Sequence, residues 1–146
     1  MWRRKGPAGP PGPQGPAGGG SNASSAFGPS GNELVQAVAT DPPGGWTVIG
    51  AFYFTGTFTS AVLEAIMLVS NPVLTGTVRL FDMTAGIPVP GSTLAGTSST
   101  TEVRQVSGNL IAAMPVNRIY QFQAEATGGS ADTDFVEIRE AKLIIS

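Results

Sequence analysis

A chain of 146 residues with a formal net charge of −2 has room for one ordinary folded domain, not two. Charged residues make up only 12% of it, about half the usual share, which points to a surface partly covered in an oligomer. With neither cysteine nor histidine, the sequence excludes disulfides, thiolate or imidazole metal sites and any mechanism with histidine as base.

The chain opens on "MWRRK", and Arg3, Arg4 and Lys5 are the only charges before residue 31. Beyond them stand five basic residues, Arg79, Arg104, Arg118, Arg139 and Lys142, against ten acidic ones, a net of −5. A mildly acidic body on a basic tip lacks the footprint that nucleic-acid binding needs. The basic start is like that of a signal peptide, but prolines and glycines stand where the apolar region would have to be. The longest apolar run, Ala65–Val69, is far too short to span a bilayer. Neither a signal peptide nor a transmembrane segment is expected.

Residues 6–18 read "GPAGPPGPQGPAG". Glycine recurs at Gly6, Gly9, Gly12, Gly15 and Gly18, and Pro7, Pro10, Pro13 and Pro16 each follow a glycine. Proline holds φ near the polyproline II value, so the segment is extended before it meets anything. Three such strands wind together when every third residue lacks a side chain, because only glycine fits at the crowded axis. This is a collagen-like Gly-X-Y repeat, read as a short triple helix; the alternative is a Pro/Gly-rich disordered linker. It spans about 40 Å at ~3.1 Å per residue and is too short to hold three chains alone. The rest of the chain is expected to bring them together.

Residues 19–31, "GGSNASSAFGPSG", are small and polar and read as a flexible linker, with Phe27 packing onto the domain. Residues 32–146 read as β. "ELVQAVA" (33–39) suits a strand or one short helix, and "DPPGG" (41–45) ends either. "WTVIGAFYF" (46–54) is β-branched and aromatic and predicts a strand. "AVLEAIMLV" (61–69) allows a helix by composition, but its length and the Asn71-Pro72 stop suit a strand. "GTVRLFDM" (76–83) alternates, Val78 and Leu80 against Arg79 and Phe81, and "TTEVRQVS" (100–107) alternates again. The turn-rich "TAGIPVPGSTL" (84–94) separates them. In "NRIYQFQAEAT" (117–127), Tyr120, Phe122, Ala124 and Ala126 share one face and Gln121, Gln123 and Glu125 the other. "FVEIREAKLIIS" (135–146) changes phase near Glu140, which predicts an irregularity there.

Seven or eight short strands predict an all-β antiparallel β-sandwich, jelly-roll-like. Its expected core is Trp46, Ile49, Phe52, Val78, Leu80, Tyr120, Phe122, Ile138 and Leu143.

No catalytic constellation appears, and no cofactor or metal site is expected. Asp132 and Asp134, in "SADTDF", carry calcium-type oxygens but read as solvated turn residues. Glu137 and Glu140 are three apart on a predicted strand, hence on opposite faces and a poor acid/base pair. Arg79 and Arg104 are expected to pair with cross-strand acids. Trp2, Arg3, Arg4 and Lys5 differ: a large aromatic and three cations sit directly before the repeat. They read as an anchor that docks on an acidic socket, Trp2 serving as its buried hot spot.

A short Gly-X-Y stalk before a compact β domain resembles the collagen-plus-head plan of bacteriophage fibre proteins and of the complement/tumour-necrosis-factor-like group. The second half is similar to small β-sandwich domains of phage structural proteins. The resemblance lies in "VRLFDMTAGIPVPGSTL" (78–94), the serine/threonine run at 97–101 with "EVRQVSGNL" after it, "YQFQAEATGG" (120–129) and "AKLII" (141–145). There a strand ends in Leu-x-Asp, a loop carries Val-x-Gly-Ser, and a Tyr-x-x-Gln strand leads to the closing strand. No catalytic residues come with this likeness.

It implies a structural virion protein of a tailed phage: a trimeric short fibre or capsid decoration protein, with an anchor (1–5), stalk (6–18), linker (19–31) and knob (32–146). Its partners would be two further copies of itself and a capsid or other virion protein at the N-terminus, with neither nucleic acid nor membrane involved. The alternative is a receptor-binding module whose knob recognises cell-surface glycan through Trp46, Tyr53 or Tyr120. A depolymerising enzyme would need paired carboxylates in a cleft, and the sequence offers none.

Overall fold

The computed structural model describes residues 25–28, 30–36, 45–129 and 134–146. The basic tip, the Gly-X-Y repeat and Asp132 lie outside them. In the described residues the chain forms strands β1 (Ser25–Phe27), β2 (Ser30–Gln36), β3 (Thr47–Phe54), β4 (Ala61–Val69), β5 (Thr75–Asp82), β6 (Ile87–Pro88), β7 (Leu94–Gly96), β8 (Val103–Val106), β9 (Arg118–Thr127) and β10 (Phe135–Ile145). One 3-10 turn at Ile111–Ala113 is the sole helical element among them. For the described residues, the expectation of all-β antiparallel sheets therefore holds.

The strands form two five-stranded sheets. Sheet I runs β1–β10–β4–β8, with β2 also on β10; sheet II runs β3–β9–β5–β6, with β7 also on β5. Every pairing is antiparallel. The 61–69 segment, open to helix by composition, is β4. Its odd positions Ala61, Leu63, Ala65, Met67 and Val69 are all buried, a period of two that only a strand provides. Residues 33–36 are likewise strand, in β2. Among the described residues, pairing is present from Ser25, inside the segment read as a linker, where β1 and β2 together line the outer edge of β10. Small polar residues that look like a joint by composition are compatible with such an edge.

The phase change expected near Glu140 is a register shift between Ile138 and Glu140, felt against both β2 and β4. It is a β-bulge that places the extra residue at Arg139. A second shift separates Val48 from Gly50 in β3.

Buried residues of both sheets form one apolar cluster. Sheet I gives Leu63, Met67, Val136, Ile138 and Leu143, sheet II gives Phe54, Val78, Leu80, Tyr120 and Phe122, and loops add Leu74, Val89, Leu110 and Met114. Each large side chain so buried contributes about 1.5–3 kcal/mol. Phe52 stacks on Tyr120 with ring centres 5.7 Å apart, and Phe54 meets Tyr120 edge-on at 5.9 Å. Gly76 on β5 sets how closely the sheets approach. A Cβ there would lie 2.4 Å from Val136 Cγ2 and 3.4 Å from Val69 Cγ1, both on sheet I.

Of the expected core, Val78, Leu80, Tyr120, Phe122, Ile138 and Leu143 are buried, and Ile49 and Phe52 pack against the cluster from a half-buried position. Trp46 is a correction. It precedes β3, and its ring lies under the Arg79 guanidinium instead of in the core.

Candidate interaction faces

Two outward faces and one corner hold the polar chemistry of the described residues. On sheet I the bulge at Arg139 resets the alternation of β10. Val136, Ile138, Ala141 and Leu143 are buried, while Glu137, Arg139, Glu140 and Lys142 all take non-core positions. This overturns the expectation that Glu137 and Glu140 point to opposite faces. Two residues three apart change sides only on a regular strand, and one inserted residue returns them to the same side. Neither is a free acid: Arg139 Nη1 lies 3.0 Å from Glu137 Oε1, and Lys142 Nζ pairs with Glu140.

Glu64, on β4, is the centre of this face and is only 4% exposed. Lys142 stands directly across the ladder from it, and Arg104 comes from β8 on the other side. Its carboxylate accepts from Arg104 Nη2 on Oε2 and faces Lys142 Nζ at 3.1 Å on Oε1. The Arg104 hydrogen bond holds the Glu64 carboxyl below its ordinary value of 4.5; burial pushes it up, and Lys142 reinforces Arg104. Hydrogen bonds to Glu140 and then to Glu64 hold the Lys142 ammonium above its ordinary 10.5. Arg104 thus meets the cross-strand acid expected for it.

Sheet II turns a different face outward. Cross-strand partners share a face, so the register places Val48 beside Gln123, Ala51 beside Gln121 and Tyr53 beside Ile119. Next to them on β5, Arg79 stands beside Gln123, Phe81 beside Gln121 and Thr77 beside Glu125. Tyr53 is 58% exposed, and Val48 and Ile119 each 49%. Arg79 departs from its expected acid partner: its Nε donates to Gln123 Oε1 at 3.0 Å, and its guanidinium lies 3.7 Å from the Trp46 ring centre. Burial lowers the Arg79 pKa, and the nearby Glu125 opposes the shift. Gln123 in turn donates to Gln121 Oε1 at 3.1 Å.

At one end of sheet II the segments "LFD" (80–82) and "VPGS" (89–92) come together. Val89 N–H donates to Leu80 O at 2.9 Å. The fully buried Ser92 hydroxyl donates to Val89 O at 2.7 Å and accepts from Leu80 N–H at 3.1 Å. Asp82 Oδ1 accepts from the Thr84 and Ala85 N–H groups, each at 2.9 Å, and Arg118 Nη1 reaches Oδ2 at 2.7 Å. Gly86 closes this turn at φ +73, a conformation suited to glycine. Burial pushes the Asp82 carboxyl up, but the hydrogen bonds from Ala85, Arg118 and Thr84 outweigh it and hold it below 3.8. Tyr120 donates its hydroxyl to Pro115 O at 2.8 Å; burial, then the Asp82 charge, pushes its pKa to about 12.

Trp2, Arg3, Arg4 and Lys5 and the glycines Gly6, Gly9, Gly12, Gly15 and Gly18 fall outside the described residues. Of the aromatics considered for sugar, Tyr120 is fully buried and cannot present its ring, while Tyr53 is open to solvent. Among the described residues, no group of three or more acidic side chains stands ready to hold a metal ion. Nor is any helix among them long and apolar enough to cross a membrane. Ile119 and Val48 are the surface residues that sequence reasoning passed over. The two-residue period of β9 already put Ile119 on the side of Gln121 and Gln123, so the signal was present. No family model matches the chain, and no curated protein matches it in sequence.

Proposed function

We propose that the chain is a structural protein of a tailed-phage particle, a trimeric short fibre or capsid decoration protein. Trp2 to Lys5 anchor it, the Gly-X-Y segment forms a short stalk, and the β domain is a jelly-roll-like sandwich displayed outward on the virion surface. One observation carries the reading: in-phase glycines and prolines at residues 6–18 stand directly before an all-β domain. Wound as a triple helix, such a repeat brings three copies together. Two sheets whose apolar residues join one cluster support the sandwich. The described polar groups support a structural role, since the acids of sheet I are matched to cations rather than poised for chemistry.

Purified phage particles test this reading. Mass spectrometry is expected to find peptides of this chain in them, and deletion of residues 2–5 is expected to abolish its occupancy. Absence from particles would overturn the virion assignment, and unchanged occupancy after the deletion would overturn the anchor.

A second reading, a glycan-binding receptor module, draws on one feature: an exposed Tyr53 beside Ile119 with Gln121 one pair away. A ring in the open with amides nearby is the kind of surface on which sugars stack. A glycan array separates the readings, because a purely structural knob binds nothing on it.

A further inference from the structure

We propose that the outward face of sheet II, built on β3 and β9, is the surface through which three copies of this chain assemble, turned toward their three-fold axis. The inference rests on the trimer reading above and specifies which surface serves it.

Three observations converge. The first is apolar exposure. Val48, Tyr53 and Ile119 lie on this face at 49%, 58% and 49% exposure, and Met83, 46% exposed, accepts no core position beside it. Its backbone N–H donates to Ile119 O, which fixes it at the rim of the same face. On β4, β8 and β10 of sheet I, the strands whose side-chain burial is described, Val106 is the one large apolar side chain of comparable exposure.

The second is charge. Around a symmetry axis, equivalent residues of identical chains meet, so a charge near the axis faces its own copies. The outward face of sheet II carries Arg79 and Glu125 as its only charges on β3, β5 and β9, and Arg79 is folded onto Trp46. Sheet I presents Glu64, Arg104, Glu137, Arg139, Glu140 and Lys142. These charges are ion-paired with one another and would have to be stripped of water to pack against a partner. Amides and apolar groups, as in Gln121, Ala51 and Tyr53, desolvate at far lower cost.

The third is the free edge. Among the described residues β3 ends sheet II, with β9 on one side and no strand on the other. Its sequence, TVIGAFYF, has no charge and no proline to discourage pairing. An uncharged apolar edge is a hazard unless something covers it. The Gly-X-Y repeat of this same chain points to the cover: wound as a triple helix, it brings two further copies alongside.

Thiol labelling tests the inference without disturbing the fold. The native chain has no cysteine, so a single introduced thiol reports its own surroundings. In the full-length protein, Ile119→Cys is compared with Val73→Cys, which sits 65% exposed in the β4–β5 connection. The expected result is a trimer in which Cys at 119 reacts more than about tenfold slower than Cys at 73, because a covered thiol reacts only on opening. Tyr53→Glu together with Ile119→Glu is then expected to reduce the mass in solution to that of one chain, with the circular dichroism of the domain retained. If the protein is a trimer and both thiols react equally fast, this face is free and the inference is overturned while the trimer reading stands. If the unsubstituted full-length protein is a monomer, both fall together.

Discussion

Sheets I and II share an interior, a strand count and an antiparallel plan, yet they solve the problem of their outward faces in opposite ways. Sheet I covers a buried acid, Glu64, with two cations from neighbouring strands and spreads further ion pairs along β10. Sheet II removes charge instead: it stacks its one central cation on Trp46, ties Gln121 to Gln123, and leaves Val48, Tyr53 and Ile119 open. The lesson is that low overall charge is not spread evenly. Sheet I pairs its charges within the chain, and on the proposed reading the open apolar groups of sheet II are the ones that meet a partner.

The largest expected effect comes at the corner of sheet II. Asp82→Ala removes two hydrogen bonds to the turn and leaves the half-buried Arg118 without its partner. A loss of about 3 kcal/mol in chemical denaturation is expected. A loss below ~1 kcal/mol would mean that the corner is held by apolar packing alone.

Gly76→Ala tests the shared interior. The new methyl would lie 2.4 Å from Cγ2 and 3.1 Å from Cβ of Val136 on sheet I, a stiff β-branched side chain. Destabilisation of about 2 kcal/mol is expected, and both sheets should unfold in one transition. Separate transitions for Trp46, beside sheet II, and for a probe on β10 would break the premise that the two faces belong to one unit.

The sequence made the strands of this domain legible to different degrees. Where the pattern of two ran unbroken, as at Tyr120, Phe122 and Ala124, strand and buried face followed directly. At β10 the break in alternation announced the bulge, but its consequence for Glu137 and Glu140 needed the register, because one extra residue reverses the parity of everything after it. Trp46 was misplaced for a different reason: hydrophobicity favours burial, but a cation from the neighbouring strand pair offered its ring a cover on the outside. Composition hid β1 entirely. An edge strand of Ser, Ala and Phe owes its pairing to β10, not to its own propensity. The basic N-terminal stretch and the Gly-X-Y repeat, legible as patterns, lie in residues the structure does not describe.

A smaller effect separates the faces by pH. Glu64 and Asp82 both have depressed folded values, so the stability they contribute is present above their ordinary 4.5 and 3.8 and is lost as pH falls through the lower folded values. The thermal midpoint should hold steady down to about pH 5 and drop in more acid solution. Glu64→Gln is expected to cost about 1 kcal/mol near neutrality, the two partly exposed cations being free to turn to water. That cost should shrink as the pH falls and the parent carboxylate is itself neutralised. A cost independent of pH would show that the shape of Glu64, not its charge, organises the sheet I face.

The smallest effect asks the same question of both faces with the same substitution. Arg79→Lys and Arg104→Lys each keep a cation and remove a planar fork. At Arg104 the partner is a carboxylate, which a compact ammonium still satisfies, so little should change. At Arg79 the partners are an indole face and an amide oxygen, and both depend on the guanidinium plane. Stability should fall by only about 0.5 kcal/mol, the scale of an exposed cation–π contact. The optical signal should be larger. In a Trp2→Phe background Trp46 is the only tryptophan, and uncovering its ring is expected to red-shift its emission and open it to acrylamide. Arg104→Lys in the same background should leave that emission where it was. If Arg79→Lys also leaves it unchanged, the cation does not cover the indole. The quiet charge of sheet II would then need another explanation than the stack on Trp46.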